Sequence, residues 1–259
     1  MRTAGQVDIR RRHSKRQQKR RRQQLIRRTI TISTLSIILL SIILFATPLL
    51  NIRSVNIMGN IKLSSEEFAP IAESLTGRNL LLVGKKGIRK QILAFPYTED
   101  ADIDKKLFPP SLVIEVTERE PSVYLMHNQQ FVLADDTGKI LEVTNTKPEI
   151  PELIGLKLTS ANQGEILSLD DNSKLKTVIN ILESFKKSGL LAGITKISLE
   201  DIDNITFNYE NRIDGICGPY VDFKRKLGLF REAITSNQLT DKSRGTIDLT
   251  KTGHAVYRP

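Results

Sequence analysis

The run from Thr29 to Leu50, TITISTLSIILLSIILFATPLL, is 22 residues long and holds no charged side chain. As a helix rising about 1.5 Å per residue it reaches about 33 Å, enough to cross a hydrocarbon core of about 30 Å. Six Ile, six Leu and Phe45 supply its apolar surface, each worth roughly 0.3 to 0.6 kcal/mol of insertion near the helix centre. The seven Ser and Thr hydroxyls find carbonyl partners one turn back in the same helix. A buried helix of a soluble core and a cleaved signal peptide are the alternatives. The run exceeds the ~7 to 15 apolar residues of a signal core, and no A-x-A cleavage pattern follows it. The sequence therefore predicts a single membrane anchor, with Pro48 near its far end.

Residues 1–28 carry twelve Lys or Arg against one acid, Asp8. Removing these from the 39 bases and 29 acids of the whole chain leaves 27 against 28. The net charge of +10 is thus a property of this leader alone. Positive charge before a first span is retained in the cytoplasm, which predicts residues 51–259 on the far side. Arg20, Arg21, Arg22, Arg27 and Arg28 lie closest to the span and are expected to meet anionic lipid headgroups. The leader has no aromatic residue and no DNA-reading motif, so specific nucleic-acid binding is not expected. With few apolar residues it is expected to be disordered away from the membrane. Cys217 is the only cysteine, which excludes an internal disulfide and leaves packed cores to hold the outer part together.

The outer part begins with IRSVNIMGN, where Ile52, Val55 and Ile57 alternate with polar residues before Gly59 and Asn60, predicting a short strand and a turn. SSEEFAPIAESL predicts a helix capped by Ser64 or Ser65, with Phe68, Ile71, Ala72 and Leu75 on one face. Ile88, Ile92 and Phe95 mark a second helix ended by Pro96. Alternation from Tyr97 to Lys106 is faint, whereas SLVIEVTERE is a clear strand through Leu112, Ile114 and Val116. The order strand, helix, helix, strand, strand predicts a sheet with both helices on one face.

V-x-I-x-G-N behind a span, Gly77 with Asn79-Leu80-Leu81, Ile88, Phe95-Pro96-Tyr97, and Leu112-x-Ile-x-Val-x-Glu118-Arg119-x-Pro121 together resemble the POTRA domain of FtsQ/DivIB cell-division proteins. The FVLADDTGKIL run, with its Asp135-Asp136-Thr137-Gly138 turn, is similar to the hairpin that follows that domain in the family. So is PEIPELIG, a turn-rich crossing through Pro148 and Pro151. Beyond it, Leu175, Val178, Ile179 and Leu182 predict a helix closed by Gly189. Strands are expected at 194–199, 204–209 and 212–217. A helix with Leu227, Phe230 and Ile234 inward follows, carrying the Lys226-Leu227 pair common in the family, and strands at 245–250 and 254–259 end the chain. The fold class is α+β: a basic leader 1–28, a transmembrane helix 29–50, a POTRA domain 51–121 and an FtsQ/DivIB-type β domain 122–259, the last read as sheet, helix, sheet, helix, sheet. The chain departs from the family in lacking Trp and an extended tail past the last strand, so an aromatic anchor near the end must be Tyr257.

No catalytic constellation is found. His13, His127 and His254 form no metal spacing with one another or with Cys217, and no G-x-S-x-G, S-x-x-K or P-loop pattern occurs. No cofactor or metal is expected. Asp135 and Asp136 are explained by the turn they make, and Cys217 by burial in a strand. The resemblance implies a noncatalytic, single-pass scaffold of bacterial division, located in the cell membrane at the septum. Its implied partners are FtsB/DivIC-like and FtsL-like proteins. An exposed sheet edge offers free N–H and C=O groups to another chain, and the candidate contact residues are Lys251, His254, Val256, Tyr257 and Arg258. The alternatives are a membrane-tethered POTRA protein that handles client chains in secretion or envelope assembly, and an envelope enzyme.

Overall fold

The computed structural model describes residues 23–43, 48–64, 66–236, 239, 242–251 and 253–259. Arg20, Arg21 and Arg22 of the leader lie outside them, as do His13 and residues 44–47 of the apolar run. Helix α1 spans Gln23–Ile43 and is exposed along its whole length. Among the described residues it already runs through the six residues before the uncharged run, including Arg27 and Arg28. Gln, Leu, Ile and Arg are all competent helix formers, which suits residues 23–28 to the helix. Beyond residues 44–47, Pro48–Leu50 form a 3-10 turn in which Leu50 is buried, so the last residue of the apolar run packs into the folded part of the chain.

The first sheet has the order β1-β3-β2, with β1 at Ser54–Met58, β2 at Thr98–Lys106 and β3 at Ser111–Glu118. β2 is a full nine-residue strand although its alternation is faint. Thr98, Ala101 and Ile103 are its buried positions, and a small Ala in the middle blunts the apolar signal. Helices α2 (Ala69–Leu75) and α3 (Lys85–Ile92) lie between β1 and β2 in the chain. The cap of α2 runs opposite to expectation: the Ser64 amide donates to the Glu67 carboxylate at 2.8 Å, and the helix starts only at Ala69, with Pro70 in its first turn, where a missing N–H costs nothing. Ser65 is outside the described residues. Phe68 is fully buried and meets the edge of Phe95 at 4.8 Å.

Cα packing gives two compact units. One holds α1 with residues 48–56, 70–85 and 104–113; the other holds 57–69, 86–103 and 114–259. The second contains a single nine-stranded mixed sheet of order β14-β13-β12-β11-β10-β7-β4-β5-β6, which joins the sheet segments of the expected α+β domain. Its strands are β4 (Val123–His127), β5 (Gln130–Ala134), β6 (Ile140–Thr144), β7 (Glu152–Ile154), β10 (Ile194–Ser198), β11 (Ile205–Tyr209), β12 (Ile213–Gly218), β13 (Gly245–Asp248) and β14 (Val256–Arg258). A separate two-stranded ribbon, β8 (Leu158–Ser160) with β9 (Ser168–Leu169), was not foreseen.

The turn-rich crossing expected at PEIPELIG is corrected: it contains β7, in the interior of the sheet and parallel to both β4 and β10. Pro151 sits just before the strand, where only its carbonyl is used, accepting from the Tyr124 amide at 2.9 Å, a position proline tolerates. Helix α4 (Leu175–Ser188) buries Val178, Ile181, Leu182 and Phe185, with Leu175 and Ile179 only half-buried. Gly189 closes it in the left-handed conformation at φ 72°. Helix α5 (Phe223–Thr235) buries Phe223, Leu227 and Phe230, while Ile234 is half-buried. Edge-to-face rings join these helices to the sheet: Phe185 to Phe207 at 5.3 Å and Phe207 to Phe230 at 4.6 Å.

Candidate partner-binding edge

Strand β13 is placed parallel to β12 by the crossover through α5, and β14 returns antiparallel to it with Ile247 opposite Tyr257. Ile247 is fully buried. Tyr257 therefore turns toward the core, half-buried, and its hydroxyl donates to the Arg244 carbonyl at 2.6 Å. Val256 and Arg258, one residue to either side, point to the other face. There the Asp248 carboxylate gathers three donors: the Thr250 hydroxyl at 2.6 Å, the Thr250 amide at 3.0 Å and the Arg258 guanidinium at 3.2 Å. The Thr250 hydroxyl, then its amide, hold this carboxyl below the usual aspartate range, with Arg258 adding to the effect. Gly245 makes the pairing possible: at φ +147° it faces the Arg258 carbonyl so closely that a Cβ would lie 2.1 Å from that oxygen.

Lys251 and His254 are exposed in the loop between the two strands. The five candidate residues thus share one loop and strand, with Tyr257 anchored inward and the other four outward. Strand β14 ends the sheet order, and among the described residues no strand pairs with its outer edge. The opposite end is different. Along β6 the segment 163–165 supplies partners: the Ile140 amide donates to Glu165, the Gly164 amide to Ile140, each at 2.8 Å, and the Gln163 side chain to Leu141 at 2.7 Å.

A second polar cluster went unread in the sequence. Asp135, 1% exposed, accepts from the Thr137 amide and hydroxyl and the Lys139 amide through Oδ1, at 2.9, 2.7 and 2.8 Å, and from Arg119 Nη1 through Oδ2 at 2.6 Å. Arg119 also donates to the Tyr97 carbonyl through its amide and to the Thr98 carbonyl through Nε. Nearby, the Tyr97 hydroxyl donates to Glu142 at 2.7 Å; burial, reinforced by that carboxylate, raises its pKa. Lys186 pairs with Asp136 at 2.6 Å. The available signal was the Glu118-Arg119 pair. Glu118 accepts from the Lys62 and Leu63 amides at 2.7 and 2.9 Å.

Titratable groups elsewhere stand apart from both clusters. Cys217 is buried, and burial pushes its thiol up to about 12. His127 ends β4 beside Asn128, and His254 is exposed. Among the described residues no group of three or more His, Cys, Asp or Glu is placed to hold a metal.

Residues 50–119 match the family model described as "POTRA domain, FtsQ-type". The cell division protein DivIB of Clostridium tetani is 25% identical over 217 residues, covering 82% of this chain and 80% of that one. The chain is a homologue of the DivIB/FtsQ cell division proteins. The cell division protein FtsQ of Zymomonas mobilis is 27% identical over a shorter stretch, 40% of this chain and 34% of that one. The solved major extracytoplasmic domain of the trans isomer of DivIB from Geobacillus stearothermophilus overlaps at a TM-score of 0.33 and 17% identity, over 46% of this chain and 92% of that one, too little to support an inference. The POTRA match ends at Arg119, so in this DivIB/FtsQ homologue the last matched residue is the one whose guanidinium reaches Asp135.

Proposed function

We propose that this chain is a noncatalytic scaffold of the division machinery, crossing the membrane once, with the leader 1–28 in the cytoplasm and the bulk outside. In this reading the POTRA domain, 51–121, serves recruitment. The β domain, 122–259, captures FtsB/DivIC-like and FtsL-like single-span proteins by adding a strand of the partner to β14. One observation carries the reading: in a homologue of DivIB, the C-terminal strand is, among the described residues, the open end of a nine-stranded sheet whose other end is covered at Ile140 and Leu141. Strand addition uses the free backbone groups of such an edge for affinity and the alternate side chains for specificity. Val256 and Arg258 are the alternate side chains outward on β14, with Lys251 and His254 beside them. Arg27, Arg28 and the leader arginines contact anionic headgroups on the cytoplasmic side.

Deletion of 251–259 is expected to abolish co-purification of FtsB/DivIC-like and FtsL-like partners while the remaining ectodomain still melts cooperatively. Unchanged capture overturns the edge proposal. External protease on spheroplasts is expected to digest the bulk and spare the leader; the reverse pattern overturns the orientation. A fluorescent fusion of the whole chain is expected to form a ring at midcell, and a uniform envelope signal would favour client handling instead.

A further inference from the structure

Outside α1, ten large apolar side chains stand exposed among the described residues. Five of them, Leu49, Leu81, Leu82, Leu107 and Phe108, fall in the same compact unit as α1, within three short stretches at 48–56, 70–85 and 104–113. Phe108 is 82% exposed and Leu82 68%. Such clustering differs from the scattered apolar residues of an ordinary surface and marks a site of contact.

The backbone ties these stretches to the root of the anchor. Leu80 donates to the Leu50 carbonyl, Ile52 to the Arg78 carbonyl and Arg53 to the Pro110 carbonyl, each at 2.9 Å, and Asn51 bridges to Asn79. Leu81 and Leu82 follow Asn79 by two and three residues, and Phe108 precedes Pro110 by two. At roughly 3.5 Å per residue and about 5 Å across each bridge, all three are held within about 15 Å of residues 51–53. That segment begins only eight residues after Ile43, the last described residue of α1. The loops are firmly supported. Leu50, Leu80 and Val83 are buried beneath them, Asn79 Oδ1 accepts from the Leu81 amide at 2.9 Å, and Lys105 Nζ donates to the Val83 carbonyl at 2.5 Å. Arg78 and Lys106 flank these loops in the chain and Arg53 bonds to Pro110 through its amide, and all three are exposed.

We propose that the loops Asn79–Val83 and 107–109 form an interfacial foot that inserts Leu81, Leu82, Leu107 and Phe108 into the leaflet from which the outer body emerges. The proposal goes beyond partner capture and rests only on α1 being a span. Its occupant is lipid because the foot is continuous in the chain with the one segment built to sit in lipid, and because apolar tips flanked by exposed Arg and Lys match a hydrocarbon edge overlaid by anionic headgroups. The anchor and the foot then give two attachments to one membrane, which restricts how the body tilts above it.

The chain has no Trp, so single Trp probes report each position without background. Full-length Phe108→Trp and Leu82→Trp are reconstituted in phosphatidylcholine vesicles containing phosphatidylglycerol, with and without lipids brominated high on the acyl chain. Leu39→Trp in α1 reports insertion of the span, and Val221→Trp, at a 68% exposed position of the other unit, serves as the solvent control. The expected result is blue-shifted emission from Phe108→Trp and Leu82→Trp that is largely lost to the brominated lipid, while Val221→Trp stays red and unquenched. Red, unquenched emission at both foot positions with Leu39→Trp quenched overturns the foot and leaves the span standing. Blue-shifted but unquenched emission means that protein covers the loops, and overturns it as well. An unquenched Leu39→Trp removes the span and the foot together.

Discussion

The two polar clusters of the larger unit use the same chemistry to opposite ends. Around Asp135 a nearly inaccessible carboxylate has a donor on both oxygens, and its cation, Arg119, is itself bonded to two further carbonyls. Around Asp248 the carboxylate is similarly satisfied, yet it sits beside a three-residue strand whose far side, among the described residues, pairs with no other strand. The first arrangement fixes a junction from all directions. The second stiffens one side of an edge so that the other remains straight and available. A buried charge network is costly to interrupt because the surviving partner is stranded, whereas an exposed edge loses little stability when one contact is removed.

Four perturbations sharpen that contrast. Arg119→Ala is expected to have the largest effect on stability, about 3 kcal/mol by urea denaturation, because it leaves the Asp135 carboxylate buried without its cation; partner capture by the folded fraction should persist. Gly245→Ala is next, at about 2 kcal/mol, since a Cβ pressed against the Arg258 carbonyl must displace backbone. Here the expected balance reverses, with capture lost and the core of the unit still cooperative. Tyr257→Phe removes one hydrogen bond, to the Arg244 carbonyl, and is expected to cost about 1 kcal/mol with faster hydrogen exchange confined to β13 and β14. The smallest effect is pH-dependent. The folded-state pKa of Asp248 is depressed, so its contribution is fully present above the ordinary aspartate range of about 4 and disappears as pH falls through the lowered folded value. Protection of the β14 amides should hold down to that range and decline below it, and Asp248→Asn should flatten the profile. If Arg119→Ala and Gly245→Ala gave the same pattern of stability and capture, the distinction between junction and edge would fail.

Much of this organisation was legible because it is written in periodic patterns. The uncharged run gave the apolar helix α1, the 3.6-residue spacing of Leu175, Val178, Ile179 and Leu182 gave α4 with Gly189 as its stop, and Leu112, Ile114 and Val116 gave β3. Two strands were obscured for identifiable reasons. β2 places Ala101 at an inward position, and β7 is three residues long behind Pro148 and Pro151, which also signal turns. The Asp135 turn was correctly seen as a turn, but the reach of Arg119 to it is a tertiary fact, and no local spacing encodes a partner 16 residues away. For the candidate edge, the strand itself was readable from VYR. That Tyr257 points inward depends on the register with Ile247, which the sequence of β14 does not contain.

The short strand Glu152–Ile154 has a mechanical consequence. It joins β4 through a single residue pair, Tyr124 with Glu152, while β4, β5 and β6 pair through four or five residues each. The nine strands are therefore two leaves sewn together by one narrow seam. Load applied by a chain zipped onto Val256–Arg258 is shared among six strands up to β7 and then meets that seam, where few ladder bonds carry it onward. Tension at the terminal leaf would be relieved there first, sparing the leaf braced by Arg119.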